Sequence, residues 1–119
     1  MPSDDLMAWL GPAADELTAE QLDAVRAAAR DLDGRYPHPD EQPEREAALS
    51  ATVQYLLGEI TTEDAHRRLV AARAEERAAY VSALQVAVMA HRHGGTAKAT
   101  AAREVGVDRM RLLKALGER

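Results

Sequence analysis

The sequence predicts an all-α protein, a bundle of five to six helices with one long central helix. Ala is the strongest helix former, and 25 of the 119 residues are Ala, with 13 Leu as the next most frequent apolar residue. Residues that favour strands are scarce: eight Val, three Tyr, one Ile, one Trp and no Phe. This scarcity excludes a β-sandwich and a sheet-based Rossmann domain, and the absence of Cys excludes a disulfide scaffold.

The composition also reflects codon usage. Phe, Asn and Cys are absent, Ile occurs once, and 13 Arg stand against two Lys. Residues with AT-rich codons are depleted together, which is typical of a GC-rich genome such as that of an actinobacterium. The absence of Phe therefore requires no functional explanation.

Two helices, of which the first is short, are expected in the first part of the chain. Ser3 is positioned to cap one over 4–10, and Gly11-Pro12 ends it. Thr18 and Gln21 have the spacing of a capping box, which predicts that a second helix starts there. The apolar stripe of this second helix and the glycine expected to end it are Leu22, Val25, Ala29, Leu32 and Gly34.

A proline-rich loop and a third helix follow. Residues 35–43 contain three Pro and predict a loop. Residues 44–57 then predict a helix that ends near Gly58. Its apolar face comprises Leu49, Val53, Leu56 and Ile60.

The long central helix is predicted over 63–93, where neither Pro nor Gly occurs. Thr61 or Thr62 is positioned to cap it, and Gly94-Gly95 to end it. At 1.5 Å per residue, such a helix would extend about 46 Å. Because its first half is highly charged, a break near 73–77 stays open at this level.

The second half of that helix carries an apolar face: Tyr80, Leu84, Ala87, Val88 and His91. We expect this face to pack against the helices over 22–32 and 49–60, and its width also favours a homodimer. The expected organisation is an acidic helical region over 1–78, which packs and dimerises, followed by a functional region over 79–119.

Charge is divided unevenly along the chain. Residues 1–90 hold 17 acidic and eight basic side chains, a net charge of −9. Residues 91–119 hold three acidic and seven basic side chains, a net charge of +4. The basic end suits a polyanion or an acidic protein, and the acidic part is a candidate surface for a protein partner.

The basic end has a distinctive pattern of small and apolar residues. Thr96 is positioned to cap a helix over 97–105, and Asp108 to cap a last helix over 109–116. A small residue is required where two helices cross, and the turn between them requires a residue that tolerates positive φ. The residues with this spacing are Ala101, Ala102, Val105, Gly106, Val107, Leu112 and Ala115.

Segment 96–117 resembles a helix-turn-helix DNA-binding motif. Its Gly106–Met110 turn is similar to those of actinobacterial regulators and of the C-terminal DNA-reading domains of resolvases and sigma factors. The resemblance implies a small transcriptional regulator that binds double-stranded DNA as a homodimer, with helix 109–116 in the major groove. The acidic part would stay away from the DNA and orient the basic end toward it.

The resemblance also implies roles for individual residues. Arg109 is the best candidate for a bidentate contact to guanine, and Met110 for a thymine methyl group. Base-reading residues would be Arg109, Met110, Leu113 and Lys114. Phosphate-contacting residues would be Arg92, Thr96, Lys98, Arg103 and Arg111. Leu113 departs from the family, which more often has a polar residue at this outward position.

An alternative interpretation is a helical protein–protein interaction module, an adaptor or antitoxin-like partner that does not bind DNA. An enzyme is not expected, because no catalytic centre, metal site or cofactor site can be assigned. His91 and His93 lie about 200° apart on a helix, the wrong spacing for a shared metal ion.

We expect a cytoplasmic protein without a membrane span. The N-terminus is acidic where a secretory signal would be basic. The most apolar window, 78–90, has about 13 residues, too few to cross a bilayer of roughly 30 Å.

Overall fold

A computed structural model describes the backbone of residues 3–118 and the side chains of residues 5–118. This part of the chain is helical and contains no strand, which confirms the predicted all-α class. Its helices are α1 (Ser3–Leu10), α2 (Ala13–Glu16), α3 (Ala19–Arg35), a 3-10 helix (Pro39–Glu41), α4 (Gln42–Leu56), α5 (Thr62–Arg92), α6 (Lys98–Val105) and α7 (Arg109–Ala115). The described range therefore has seven α-helices rather than five to six, because the one-turn α2 follows Gly11-Pro12 directly.

The described residues divide into two compact units, one that ends at Ala65 and one that begins at His66. This boundary lies inside α5, soon after its first turn. The expected boundary between an acidic region over 1–78 and a functional region over 79–119 concerns function rather than compactness, and it stays a prediction.

The first unit has a core of leucines and small residues contributed by α1, α3 and α4. The stripes predicted for α3 and α4 are largely confirmed, since Val25, Ala29, Leu32, Leu49 and Val53 are buried. Leu6, Leu10 and Leu17 complete the buried set.

Hydrogen bonds set the start of α3 and its place beside α4. The predicted capping box is confirmed: Thr18 Oγ1 accepts from the Gln21 N–H at 3.1 Å, and the Thr18 N–H donates to Gln21 Oε1 at 2.9 Å. Gln21 Nε2 also donates to the Leu56 carbonyl oxygen at 2.9 Å. Helix α3 passes through Gly34, where we expected it to end, and closes at Tyr36, whose N–H donates to the Leu32 carbonyl at 2.9 Å.

Helix α5 is a single helix of 31 residues, so the break left open near 73–77 does not occur. Thr61, rather than Thr62, caps it: Thr61 Oγ1 accepts from the Asp64 N–H at 3.1 Å, and the Thr61 N–H donates to Asp64 Oδ2 at 3.0 Å. The cap expected from Ser3 at α1 lies outside the described side chains.

The second unit is built on the last turns of α5. Ala87 and Val88 are buried there, and Tyr80 and Leu84 are partly buried against the same core. The other members of this core come from α6, α7 and the turn between them. These partners differ from the two N-terminal helices that we expected for this face of α5. Among the described residues, every helix is too short or too polar to cross a lipid bilayer.

Candidate nucleic-acid interface

Helices α6 and α7 are joined by a three-residue turn, Gly106–Asp108. Gly106 adopts φ +90°, a left-handed conformation in which residues with a Cβ are strained, so the expected role of this glycine is confirmed. The N–H groups of Gly106 and Val107 both donate to the Ala102 carbonyl, at 2.9 and 3.0 Å. Asp108 then caps α7 as predicted, because its Oδ2 accepts from the Arg111 N–H at 3.2 Å.

Small and branched apolar residues hold α6 and α7 together. Of the predicted set, Ala101, Ala102, Val107 and Leu112 are buried and Val105 is partly buried. Leu112 is fully buried, so it is the principal anchor of α7.

The expected contribution of Ala115 is wrong, because this residue is exposed. Leu116 packs against the core instead. Leu116 follows Leu112 by four positions, which places it on the same face of the helix one turn later. Its larger side chain reaches the core where a methyl group at 115 does not.

The predicted cap at Thr96 is also wrong. Helix α6 begins at Lys98, its N-cap is Ala97, and no side chain caps it. The Thr96 backbone closes the loop after α5 instead: its N–H donates to the Ala90 carbonyl at 3.0 Å. Its carbonyl oxygen lies 2.8 Å from His91 Nδ1, and because a carbonyl only accepts, this ring nitrogen carries the proton.

Three of the four residues assigned to base reading lie exposed on α7. Met110 is 62% exposed, and Arg109 and Lys114 are exposed as well. Within the described part of the chain, the Arg109 side chain makes no hydrogen bond or ion pair. Leu113 is half-buried, so it presents less surface than the other three.

Three of the residues assigned to phosphate binding contact other parts of the same unit. Lys98 Nζ lies 2.5 Å from Glu118 Oε1, and Arg92 Nη2 donates to the Leu116 carbonyl at 3.4 Å. The Arg111 guanidinium carbon lies 5.4 Å from the centroid of the Tyr80 ring. These contacts connect α5, the start of α6 and the end of α7.

Arg103 and Thr96 differ from those three residues. Arg103 is exposed in the last turn of α6 and has no partner among the described residues. Thr96 is half-buried, and its backbone groups are engaged as described above. Of the described cations that were assigned to DNA contacts, Arg103, Arg109 and Lys114 can therefore bind without breaking an internal contact.

Two features of this region were not predicted from the sequence: the partner of Lys98, and the role of Tyr80 beyond the apolar face of α5 to which it was assigned. Glu118 forms an ion pair with Lys98, 20 positions away in the sequence, and no local sequence pattern predicts a contact between such distant residues. The Tyr80 hydroxyl is buried and has no hydrogen-bond partner within the described part. The Tyr80 ring, stacked with Arg111 and packed on the core, supports α7 from the α5 side.

Models of known protein families, curated proteins and solved structures gave no match to this chain.

Proposed function

We propose that this protein binds double-stranded DNA through α7 and acts as a small transcriptional regulator. The observation that carries the proposal is the pair of short helices, α6 and α7, joined by a turn with positive φ at Gly106 and packed on α5. That arrangement has the elements of a helix-turn-helix, in which the second helix enters the major groove. Its exposed Arg and Lys suit the negative potential of DNA.

Arg109 is the residue to which we assign the main base contact. It occupies the first position of α7, it is exposed, and no internal contact must break before it binds. Its guanidinium can donate two hydrogen bonds to guanine O6 and N7. Met110, beside it, offers an apolar contact for a thymine methyl, while Lys114 lies one turn further along α7.

The phosphate contacts differ in what they require. Arg103 is free to bind a phosphate oxygen directly. Lys98 must first give up its ion pair with Glu118, although an exposed pair of this kind is worth only about 0–1 kcal/mol. Arg111 can contact a phosphate after its guanidinium leaves the Tyr80 ring, and Arg92 can do so after it releases the Leu116 carbonyl.

A homodimer is part of the proposal, because paired helix-turn-helix units read half-sites about one DNA turn apart. Residues 65–79 of α5 are all exposed, and an isolated helix of that length is marginal in water. Apolar side chains on and beside this stretch are exposed as well: Leu69, Val70, Val81, Val86 and Met89. A second copy that packs there would stabilise the helix and bring two α7 helices into one particle.

Fluorescence anisotropy with random-sequence duplex at about 50 and 200 mM salt tests the proposal. A dimer that makes six or more phosphate contacts should bind the duplex about a thousandfold or more weakly at the higher salt concentration than at the lower one. Analytical ultracentrifugation of the same samples gives the oligomeric state. Absence of duplex binding at the lower salt would contradict the proposal.

The second candidate is a protein–protein interaction module, an adaptor or antitoxin-like partner. Met110 favours it, because this apolar side chain is 62% exposed and adjoins two Arg on α7. Such a surface also suits a partner that is acidic around an apolar centre. This candidate predicts that the protein binds no duplex at any salt concentration.

A further inference from the structure

We infer that the first unit contains a binding site for a small organic cation, in a cavity between α1, α3 and α4. The cavity has a volume of about 550 Å³, within the range of small-molecule sites. All of its lining residues belong to the unit that ends at Ala65. The inference therefore does not rest on DNA binding by the second unit.

The inner surface of the cavity is apolar and aromatic. Ala29, Leu32 and Leu49 line it and are themselves buried in the core. Trp9 lines it as well and packs, half-buried, against that core. An aliphatic surface shelters the hydrocarbon part of a ligand, and an indole attracts a cation through the negative face of its ring.

Carboxylates from three different helices surround this apolar surface. Asp5 comes from α1, Asp33 from α3 and Glu46 from α4, and all three residues are exposed. They are remote from one another in sequence, so the fold rather than a local acidic run brings them to one cavity. The negative charge that Asp5 and Glu46 add at this cavity favours a positive ligand and disfavours an anion.

Among the described lining residues the one cation is Arg45, and its guanidinium is bonded within the protein. Its Nη1 donates to the carbonyl oxygens of Tyr36 and His38, the latter at 2.8 Å. Its Nε and Nη2 donate to Gln42 Oε1 at 3.1 and 2.8 Å. This guanidinium holds the loop before α4 in place, and it is poorly placed to bind a ligand anion. An apolar body with one ammonium group is the ligand chemistry that the cavity selects.

Trp9 provides a direct assay, because it is the single tryptophan of the chain. Its fluorescence should change saturably on titration of the full-length protein with phenethylammonium, with a Kd on the order of 1 mM. Phenethyl alcohol and phenylacetate have similar size and carry zero and negative charge. The alcohol should bind more weakly and phenylacetate should not bind measurably.

Two variants test the role of the carboxylates. Asp5→Asn and Glu46→Gln should each weaken phenethylammonium binding by about threefold, and together by more. Glu44→Gln is the matched control, since it removes the same charge from α4 at an exposed position outside the cavity lining. Circular dichroism verifies that each variant keeps its helix content, and isothermal titration calorimetry repeats the measurement without the fluorophore.

Several outcomes would overturn the inference. If neither fluorescence nor calorimetry detects saturable binding of phenethylammonium, the cavity is not a site for organic cations. If phenethyl alcohol or phenylacetate binds as tightly as the ammonium, the assigned ligand class is wrong. If Glu44→Gln weakens binding as much as Glu46→Gln, the effect is due to overall charge rather than to the cavity.

Discussion

Gly106→Ala should destabilise the second unit because of backbone strain alone. A Cβ built on Gly106 has no atom within 4 Å, so no steric clash is expected. The backbone at φ +90° is unfavourable for an L-residue by about 1–2 kcal/mol. Ala also reduces the entropy of the unfolded chain, which offsets about 0.5 kcal/mol of this cost. The expected net loss is about 1 kcal/mol.

Gly34→Ala is the matched control and should change stability in the opposite direction. Gly34 lies within α3, a Cβ there also has no atom within 4 Å, and its backbone does not have positive φ. Ala is the better helix former, so a gain of about 0.5 kcal/mol is expected, reduced by its position near the helix end.

Urea unfolding measures both changes. Circular dichroism at the helical signal follows both units, whereas Trp9 fluorescence follows the first unit. Gly106→Ala should lower the urea midpoint of the circular dichroism transition, and Gly34→Ala should raise the midpoint reported by Trp9. An unchanged or raised midpoint in Gly106→Ala would refute the left-handed turn between α6 and α7.

Three further predictions concern the core, the caps and the phosphate contacts. Leu112→Ala should cost about 2–5 kcal/mol in urea unfolding, because the side chain is fully buried, and a cost below 1 kcal/mol would contradict its role as anchor. Thr18→Ala should cost about 1 kcal/mol, but Thr96→Ala less than about 0.5 kcal/mol, since the Thr18 side chain caps a helix and that of Thr96 does not. Arg103→Ala should weaken binding to random duplex more than Lys98→Ala does, because Lys98 is already paired with Glu118. The reverse order of affinities in anisotropy would contradict the assignment of Arg103 as the more available phosphate contact.

Local signals predicted the local structure well. Ala content and the scarcity of strand formers predicted the helical class. The caps at Thr18 and Asp108 and the turn at Gly106 were predicted because each depends on only a few neighbouring residues. The absence of Gly and Pro over 63–93 favoured a single helix, but the sequence left a break near 73–77 open, and the structure shows that α5 is continuous.

Most of the predictions that failed depend on tertiary packing; the end of α3 is the exception, since this helix continues one residue beyond Gly34. Thr96 has a residue type that favours capping, but its backbone is used to close the loop against Ala90. Ala115 and Leu116 both follow Leu112 at helical spacing, and only the packing of α7 decides which one reaches the core. The ion pair between Lys98 and Glu118 is likewise a contact between distant segments. The sequence alone therefore predicted more cations available for phosphate binding than the structure shows.

The most direct test of the central claim compares two Arg→Ala variants on DNA. A preferred site is first selected from a random duplex pool with the unmodified protein, and affinities are then measured by anisotropy at about 50 mM salt. Arg109→Ala should lose roughly 1–3 kcal/mol on the preferred site, a factor of at least about five, and relax the preference at one base pair. Arg30→Ala removes the same charge from an exposed position on α3 and should leave affinity unchanged. Equal affinities for both variants, or a pool from which no duplex is retained, would contradict DNA recognition by α7.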